Sequence, residues 1–159
     1  MVPLNDNNPI RITPYVTYAL IVLNVLIFIY EITLGPEQLE GFFQLFAVIP
    51  RQLTGSFDGV LVNQPVPEWW TLLTSQFLHG GFLHLGGNML FLWIFGNNVE
   101  DQLGHFKYLL FYLACGALAA LSQWYFAPLS NVPSLGASGA IAGVMGAYII
   151  RFPKAEVLT

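Results

Sequence analysis

Residues 107–151 read KYLLFYLACGALAALSQWYFAPLSNVPSLGASGAIAGVMGAYIIR, and the 43 residues between Lys107 and Arg151 include no Asp, Glu, Lys or Arg. A helix that spans a bilayer uses about 20 predominantly apolar residues, so this run holds two. Pro128, Ser130, Asn131 and Pro133 are turn formers that divide it, which predicts spans over 106–126 and 135–152. Upstream, 31 uncharged residues separate Glu68 from Glu100, and His79-Gly80-Gly81 interrupts the first half. A span is therefore expected over 83–99. The 19 uncharged residues between Arg11 and Glu31 hold another, over 14–34. A cleavable signal peptide does not fit this first segment, because the apolar run is too long and no Ala-x-Ala-like site follows Tyr30-Glu31. The expected fold is an all-α polytopic membrane protein with four transmembrane helices.

Composition agrees. Of 159 residues, 55% are hydrophobic and 9% charged, against about 25% charged in a soluble domain. Five basic and nine acidic side chains cannot cover a water-facing surface. The net charge of −4 excludes a nucleic-acid binder, and the aromatic content excludes a disordered tail. Cys115 is the single cysteine, so an intrachain disulfide is excluded. Placing the N-terminus in the cytoplasm puts Arg11, Lys107, Arg151 and Lys154 inside and only Arg51 outside. Residues 35–82 then form a long external loop and 127–133 a short external turn. The loop carries Phe42, Phe43, Phe46, Trp69 and Trp70 among few charges, which predicts amphipathic helices lying in the membrane interface.

Several polar groups fall inside the apolar segments. His84 and Asn88 are four residues apart and share one face of the second span, near its external end. Ser138 lies in the first turns of the fourth, at similar depth. Intramembrane polar groups mark functional sites or serve as interhelical glue, and spacing alone leaves both open. Asn24, near the middle of the first span, is expected to bond to a neighbouring helix. Gly136, Gly139, Gly143 and Gly146 are spaced three, four and three, a small-residue stripe that admits a close helix partner. Ser138 points about 120° away from that stripe. A serine at a helix start also faces the positive dipole end, which favours an anionic oxygen. A metal site is not expected: His79 and His84 are five apart, no acidic residue stands between them, and Glu100 is at the far end of the helix. Cys115, among Leu and Ala, is expected to be inert core.

His79, then four residues, His84, then three residues and Asn88 on a second membrane helix, with Glu100 and Gly104 beyond it, precede Gly136-Ala137-Ser138-Gly139 opening a fourth helix with Gly143 further on. This order resembles the rhomboid family of intramembrane serine proteases, from about residue 14 to the end of the chain. The resemblance implies that Ser138 is the nucleophile, that His84 and Asn88 stabilise the oxyanion, and that His79, Gly136, Gly139 and Gly143 support the site. It implies no cofactor, single-span membrane proteins as substrates within the lipid bilayer, and a multi-pass location, expected here to be a bacterial plasma membrane. Two features depart from the family pattern. Trp70-Thr71 stands where many members have Trp-Arg. The family core has six helices with its general base, a histidine, on the sixth, whereas the histidines here are His79, His84 and His105, and His105 is at the other end of the bundle from Ser138. Residues 1–159 are thus expected to be the first four helices of a six-helix domain, a fragment inactive alone that leaves the glycine stripe without its partner helix. The alternative is a catalytically dead relative that binds transmembrane segments and affects their trafficking or turnover.

Overall fold

The computed structural model describes residues 5–60 and 67–158. Four longer helices occupy the positions of the expected spans: α1 (Tyr15–Glu31), α5 (Phe82–Leu103), α6 (His105–Phe126) and α7 (Ser138–Arg151). Between the first two lie α2 (Pro36–Phe46), α3 (Pro50–Phe57), α4 (Thr71–Thr74) and 3₁₀ turns at Glu68–Trp70 and Ser75–Phe77. Leu20, Leu92, Phe95, Tyr112, Val144 and Tyr148 from all four long helices meet in one buried core.

The end of α5 builds the start of α1. An N-terminal helix turn has N–H groups with no partner inside the helix. Here the Glu100 carboxylate accepts from the Val16 N–H (2.9 Å), the Thr17 N–H (2.8 Å) and the Thr17 hydroxyl (2.7 Å). Its negative charge also sits at the positive end of the α1 dipole. His105 Nδ1 lies 2.6 Å from the same carboxylate, and Asp101 accepts from the N–H groups of Arg11 and Ile12. These bonds explain why α5 continues to Leu103 instead of stopping at residue 99: Glu100 is fully buried yet saturated with donors. Before α1, β1 (Asn5–Asp6) pairs antiparallel with β2 (Val157–Leu158), so a small ribbon supplements the expected all-α fold. It is anchored by the Asp6 carboxylate, which accepts from the Tyr148 hydroxyl (2.7 Å) and Asn98 Nδ2 (2.8 Å).

The helix ends differ from the expected spans for local reasons. After α1, residues 32–34 close a turn, with Thr33 and Leu34 donating to the Tyr30 and Glu31 carbonyls. The fourth helix begins at Ser138 and not at residue 135, because Ser134 is held extended against Val48 by two main-chain bonds. Gly136 then turns the chain at φ +117°, a conformation that strongly favours glycine. The glycine stripe is also corrected. A Cβ at Gly139 would meet the Ala119 side chain and the Gly116 backbone, and one at Gly143 would meet Cys115, so the stripe packs on α6 and already has its partner. Gly136 belongs to the turn, and a Cβ at Gly146 would meet open space. Asn24 donates to the Leu20 carbonyl of its own helix (2.7 Å) and faces the Tyr112 hydroxyl of α6, so the expected contact with a neighbour is only part of its role.

Among the described residues one helix, α6, is both long and apolar enough to cross a membrane by itself. The α1 and α7 helices are apolar but shorter. The α5 helix has the length, 22 residues, but carries Gly-Gly-Asn, Asn-Asn and Glu-Asp, which lower its hydropathy. The outward faces carry Val22, Leu26 and Ile29 on α1, and Leu118, Ile149 and Ile150 on α6 and α7, all exposed. Apolar surface of that extent marks an interaction with something other than water.

The connection between α1 and α5 is a built structure. Val48 pairs with Ser134, the Arg51 N–H donates to the Ser130 carbonyl (3.0 Å), and Trp124 Nε1 donates to the Thr54 hydroxyl (2.9 Å). The loop is thereby fastened to the α6–α7 turn. The α2 helix has no fully buried residue, and its Phe42 and Phe46 rings pack at 4.8 Å. Trp69 and Trp70 stack, both exposed. Thr71, at the position where many members of the resembled family have arginine, donates its hydroxyl to the Glu68 carbonyl. Glu68 itself is buried, which raises its pKa above the ordinary carboxylate value.

Candidate active site

Ser138 is the first residue of α7 and is exposed. The buried Ala137 caps the helix start, and the Gly136 N–H donates to the Ser75 carbonyl (2.8 Å). This bond pins the turn before Ser138 to the segment before α5. A Cβ at Gly136 would stand 2.6 Å from His84 Nε2, 2.7 Å from His84 Cε1 and 3.7 Å from Asn88 Nδ2. The turn that presents Ser138 therefore lies directly on the imidazole of His84, with the Asn88 amide one helical turn further along α5. Residues 48 and 52 positions apart are brought to one place because glycine alone lets the backbone approach so closely.

His79 joins from beneath. It is 1% exposed, its Nε2 is 3.0 Å from Asn88 Nδ2, and its ring packs edge-on against His84 at 5.0 Å. Its main-chain N–H donates to both carboxylate oxygens of Glu31 (3.3 Å each). Gly80 donates its N–H to His84 Nδ1 (3.4 Å). Burial, reinforced by repulsion from His84, pushes the His79 pKa down to about 4, against a weaker opposing pull from the Phe77 carbonyl. His79 is thus neutral near pH 7 and free to accept a hydrogen bond.

A stability prediction follows from that shift. Below pH 6.5 the unfolded chain protonates His79, while the folded protein does so only near pH 4. The contribution of neutral His79 is complete above pH 6.5 and is lost as pH falls towards 4, about 3 kcal/mol in total. Denaturation of the wild type and His79→Gln across pH 4 to 7 should show a steeper acid loss in the wild type. Parallel curves would contradict the burial of His79.

Beside Ser138 is a cavity of about 120 Å³ whose wall includes Ser75, Gln76, Gln123, Ser134, Ser138 and Gly139. Gln76 is 2% exposed and lies on Gly116. Its Nε2 donates to the Leu72 and Leu113 carbonyls (2.9 and 3.1 Å), and its Oε1 has no partner among the described residues. Such a pocket suits water.

The structure brings His79, His84, Asn88 and Gly136 together, and Ser138 follows two residues after Gly136. Gly139 and Gly143 are at the α6 interface, where they let α7 pack close. No hydrogen bond joins Ser138 to a histidine among the described residues, and His105 is bound to Glu100, roughly 20 Å down α6. Glu31 and Gln76 escaped the sequence reading. A carboxylate that ends an apolar run looks like a boundary marker, and only the fold shows Glu31 2% exposed beneath His79.

The rhomboid-domain family model matches residues 66–159. The chain is 38% identical over 137 residues to rhomboid protease GluP of Bacillus subtilis, a match that covers 86% of this chain and 24% of that protein. It is 34% identical to the chloroplastic rhomboid-like protein 11 of Arabidopsis thaliana, covering 80% and 42%. With rhomboid protease AarA of Providencia stuartii it shares 30% identity, covering 89% and 52%. The chain spans about a quarter to a half of the length of these relatives, and no solved structure gives a significant match. Relatives occur in bacteria, mitochondria and chloroplasts. The family match covers more than half of the chain, including both halves of the site, and on that ground the chain belongs to the rhomboid family.

Proposed function

We propose that this chain carries part of the catalytic machinery of an intramembrane serine endopeptidase that cleaves transmembrane segments near the outer face of a membrane. The observation that carries the reading is the Gly136 turn, two residues before Ser138, resting on His84 and near the Asn88 amide. Ser138 Oγ attacks the peptide carbonyl carbon as its proton passes to a base. The resulting oxyanion accepts hydrogen bonds from His84 Nε2, Asn88 Nδ2 and the Ser138 N–H, groups fixed before the reaction begins. Collapse of the intermediate releases the amine and leaves an acyl-serine, which water then hydrolyses. The cavity at Gln76 and Gln123 is suited to hold that water.

The four long helices are the proposed spans, with their apolar outer faces against lipid. The Glu100 end of the bundle carries Arg11, Lys107, Arg151 and Lys154; the Ser138 end carries Arg51. That asymmetry supports an N-terminus in the cytoplasm and a site near the outer face, in a bacterial plasma membrane. The family resemblance supplies the base as a histidine on a further helix, so residues 1–159 alone are expected to be inactive. A non-proteolytic protein that binds transmembrane segments is the second reading, favoured by the lack of a histidine bonded to Ser138 among the described residues.

An intact substrate helix hides its carbonyls in its own hydrogen bonds, so the scissile segment must unwind first. In the whole protein, a substrate span with glycine near its outer end should be cut at least tenfold faster than a poly-leucine span, measured in proteoliposomes. Equal rates would contradict the reading.

A further inference from the structure

We infer that the two site histidines are held in opposite neutral tautomers, His84 protonated on Nε2 and His79 on Nδ1, and that the Gly80 main-chain N–H sets the first. The inference rests on the proposed use of His84 and Asn88 as oxyanion donors.

An imidazole nitrogen that accepts a hydrogen bond cannot also carry the proton, and in the neutral ring the proton is then on the other nitrogen. His84 Nδ1 accepts from the Gly80 N–H (3.4 Å). That leaves Nε2–H, and Nε2 is the atom that meets the Gly136 turn. The reverse tautomer would aim a lone pair where negative charge develops. His79 has the mirror-image surroundings. Its Nδ1 is buried and has no hydrogen-bond partner among the described residues, while its Nε2 lies 3.0 Å from Asn88 Nδ2. An amide nitrogen only donates, so Nε2 accepts and the neutral ring carries its proton on Nδ1. One Asn88 N–H is held by His79, the amide is fixed with its nitrogen inward, and the second N–H is left for the oxyanion. Gly80 is thus a positioning residue for His84, as His79 is for Asn88.

The chain has three histidines, so ¹⁵N-histidine spectra of the protein in nanodiscs can be assigned with His105→Gln and His79→Gln. At a pH about 1.5 units above the ordinary imidazole value of ~6.5, His84 should give a protonated Nε2 and a bare Nδ1, and His79 the reverse. Gly80→Ala keeps the N–H, and its Cβ would be 4.0 Å from His84 Nδ1, an ordinary contact; it should preserve the His84 pattern. Gly80→Pro lacks the N–H and should mix the two His84 tautomers. A bare Nε2 on His84 in the wild type, or a protonated Nε2 on His79, would overturn the inference even if the proline variant fails to fold. An unchanged His84 pattern in a folded Gly80→Pro would overturn the role given to Gly80. The predicted tautomers in a protein without Ser138-dependent cleavage would count against the protease reading alone. Reversed tautomers in a Ser138-dependent protease would count against this inference alone.

Discussion

Ser138→Ala in the whole protein is expected to reduce cleavage of a transmembrane substrate by about 10⁴- to 10⁶-fold, the range seen when a soluble serine protease loses one member of its catalytic triad. The fold should be almost untouched. Ser138 is exposed at the first position of α7, and no side-chain hydrogen bond caps that helix start, so removing the hydroxyl opens no cavity in the core. Thermal unfolding should move by less than about 0.5 kcal/mol, as for other exposed sites. The combination of near-total loss of turnover with unchanged stability separates a nucleophile from a packing residue. A variant that retained more than a tenth of the wild-type rate would show that Ser138 does not carry the reaction.

Gly136→Val is expected to lower the rate at least as far as losing one oxyanion donor, about 10²- to 10³-fold, with Ser138 and the base still present. Two effects act together. The backbone at φ +117° strains any side chain with a Cβ, costing on the order of 1–3 kcal/mol. That Cβ would also stand 2.6 Å from His84 Nε2, closer than atoms can approach, so the imidazole must swing away from the oxyanion. Gly136→Ala should show the same direction with a smaller loss. Gly146→Ala makes an informative contrast, because a Cβ there meets open space and cleavage should change by less than twofold. Equal activity of Gly136→Val and wild type would mean that His84 does not serve the reaction from its observed position.

The positions of the long helices could be read from the gaps between charges, since each gap had to be filled by apolar helix. Their ends could not, because these depend on partners remote in sequence. Glu100 looked like a terminator and is instead the cap of α1, so a charge that should stop a span lies inside α5. The start of α7 was displaced by a strand contact between Val48 and Ser134, residues no local pattern joins. Ser138, His84 and Asn88 were singled out by motif order and expected depth, while the contact between their two motifs, Gly136 on His84, came only with the fold. The glycine stripe was legible as a packing surface, while its partner, α6, was not: periodicity gives the face of a helix and says nothing of what covers it. Glu31, Gln76 and the Gly80 N–H were invisible because a buried carboxylate, an amide under a glycine and a main-chain donor have no sequence signature.

The proposed role of Ser138 is that of a nucleophile whose base, by the family resemblance, lies outside residues 1–159. Intact-mass and peptide mapping after treatment with a fluorophosphonate tests it most directly, on the whole protein and on residues 1–159 alone in the same detergent. The account predicts a single adduct on the peptide containing Ser138 in the whole protein. It predicts no adduct on residues 1–159, and adduct formation there once the remaining helices are supplied in trans. Labelling of residues 1–159 alone at a comparable rate, abolished by Ser138→Ala, would contradict the placement of the base; cleavage by the whole protein without any adduct on Ser138 would contradict the nucleophile itself.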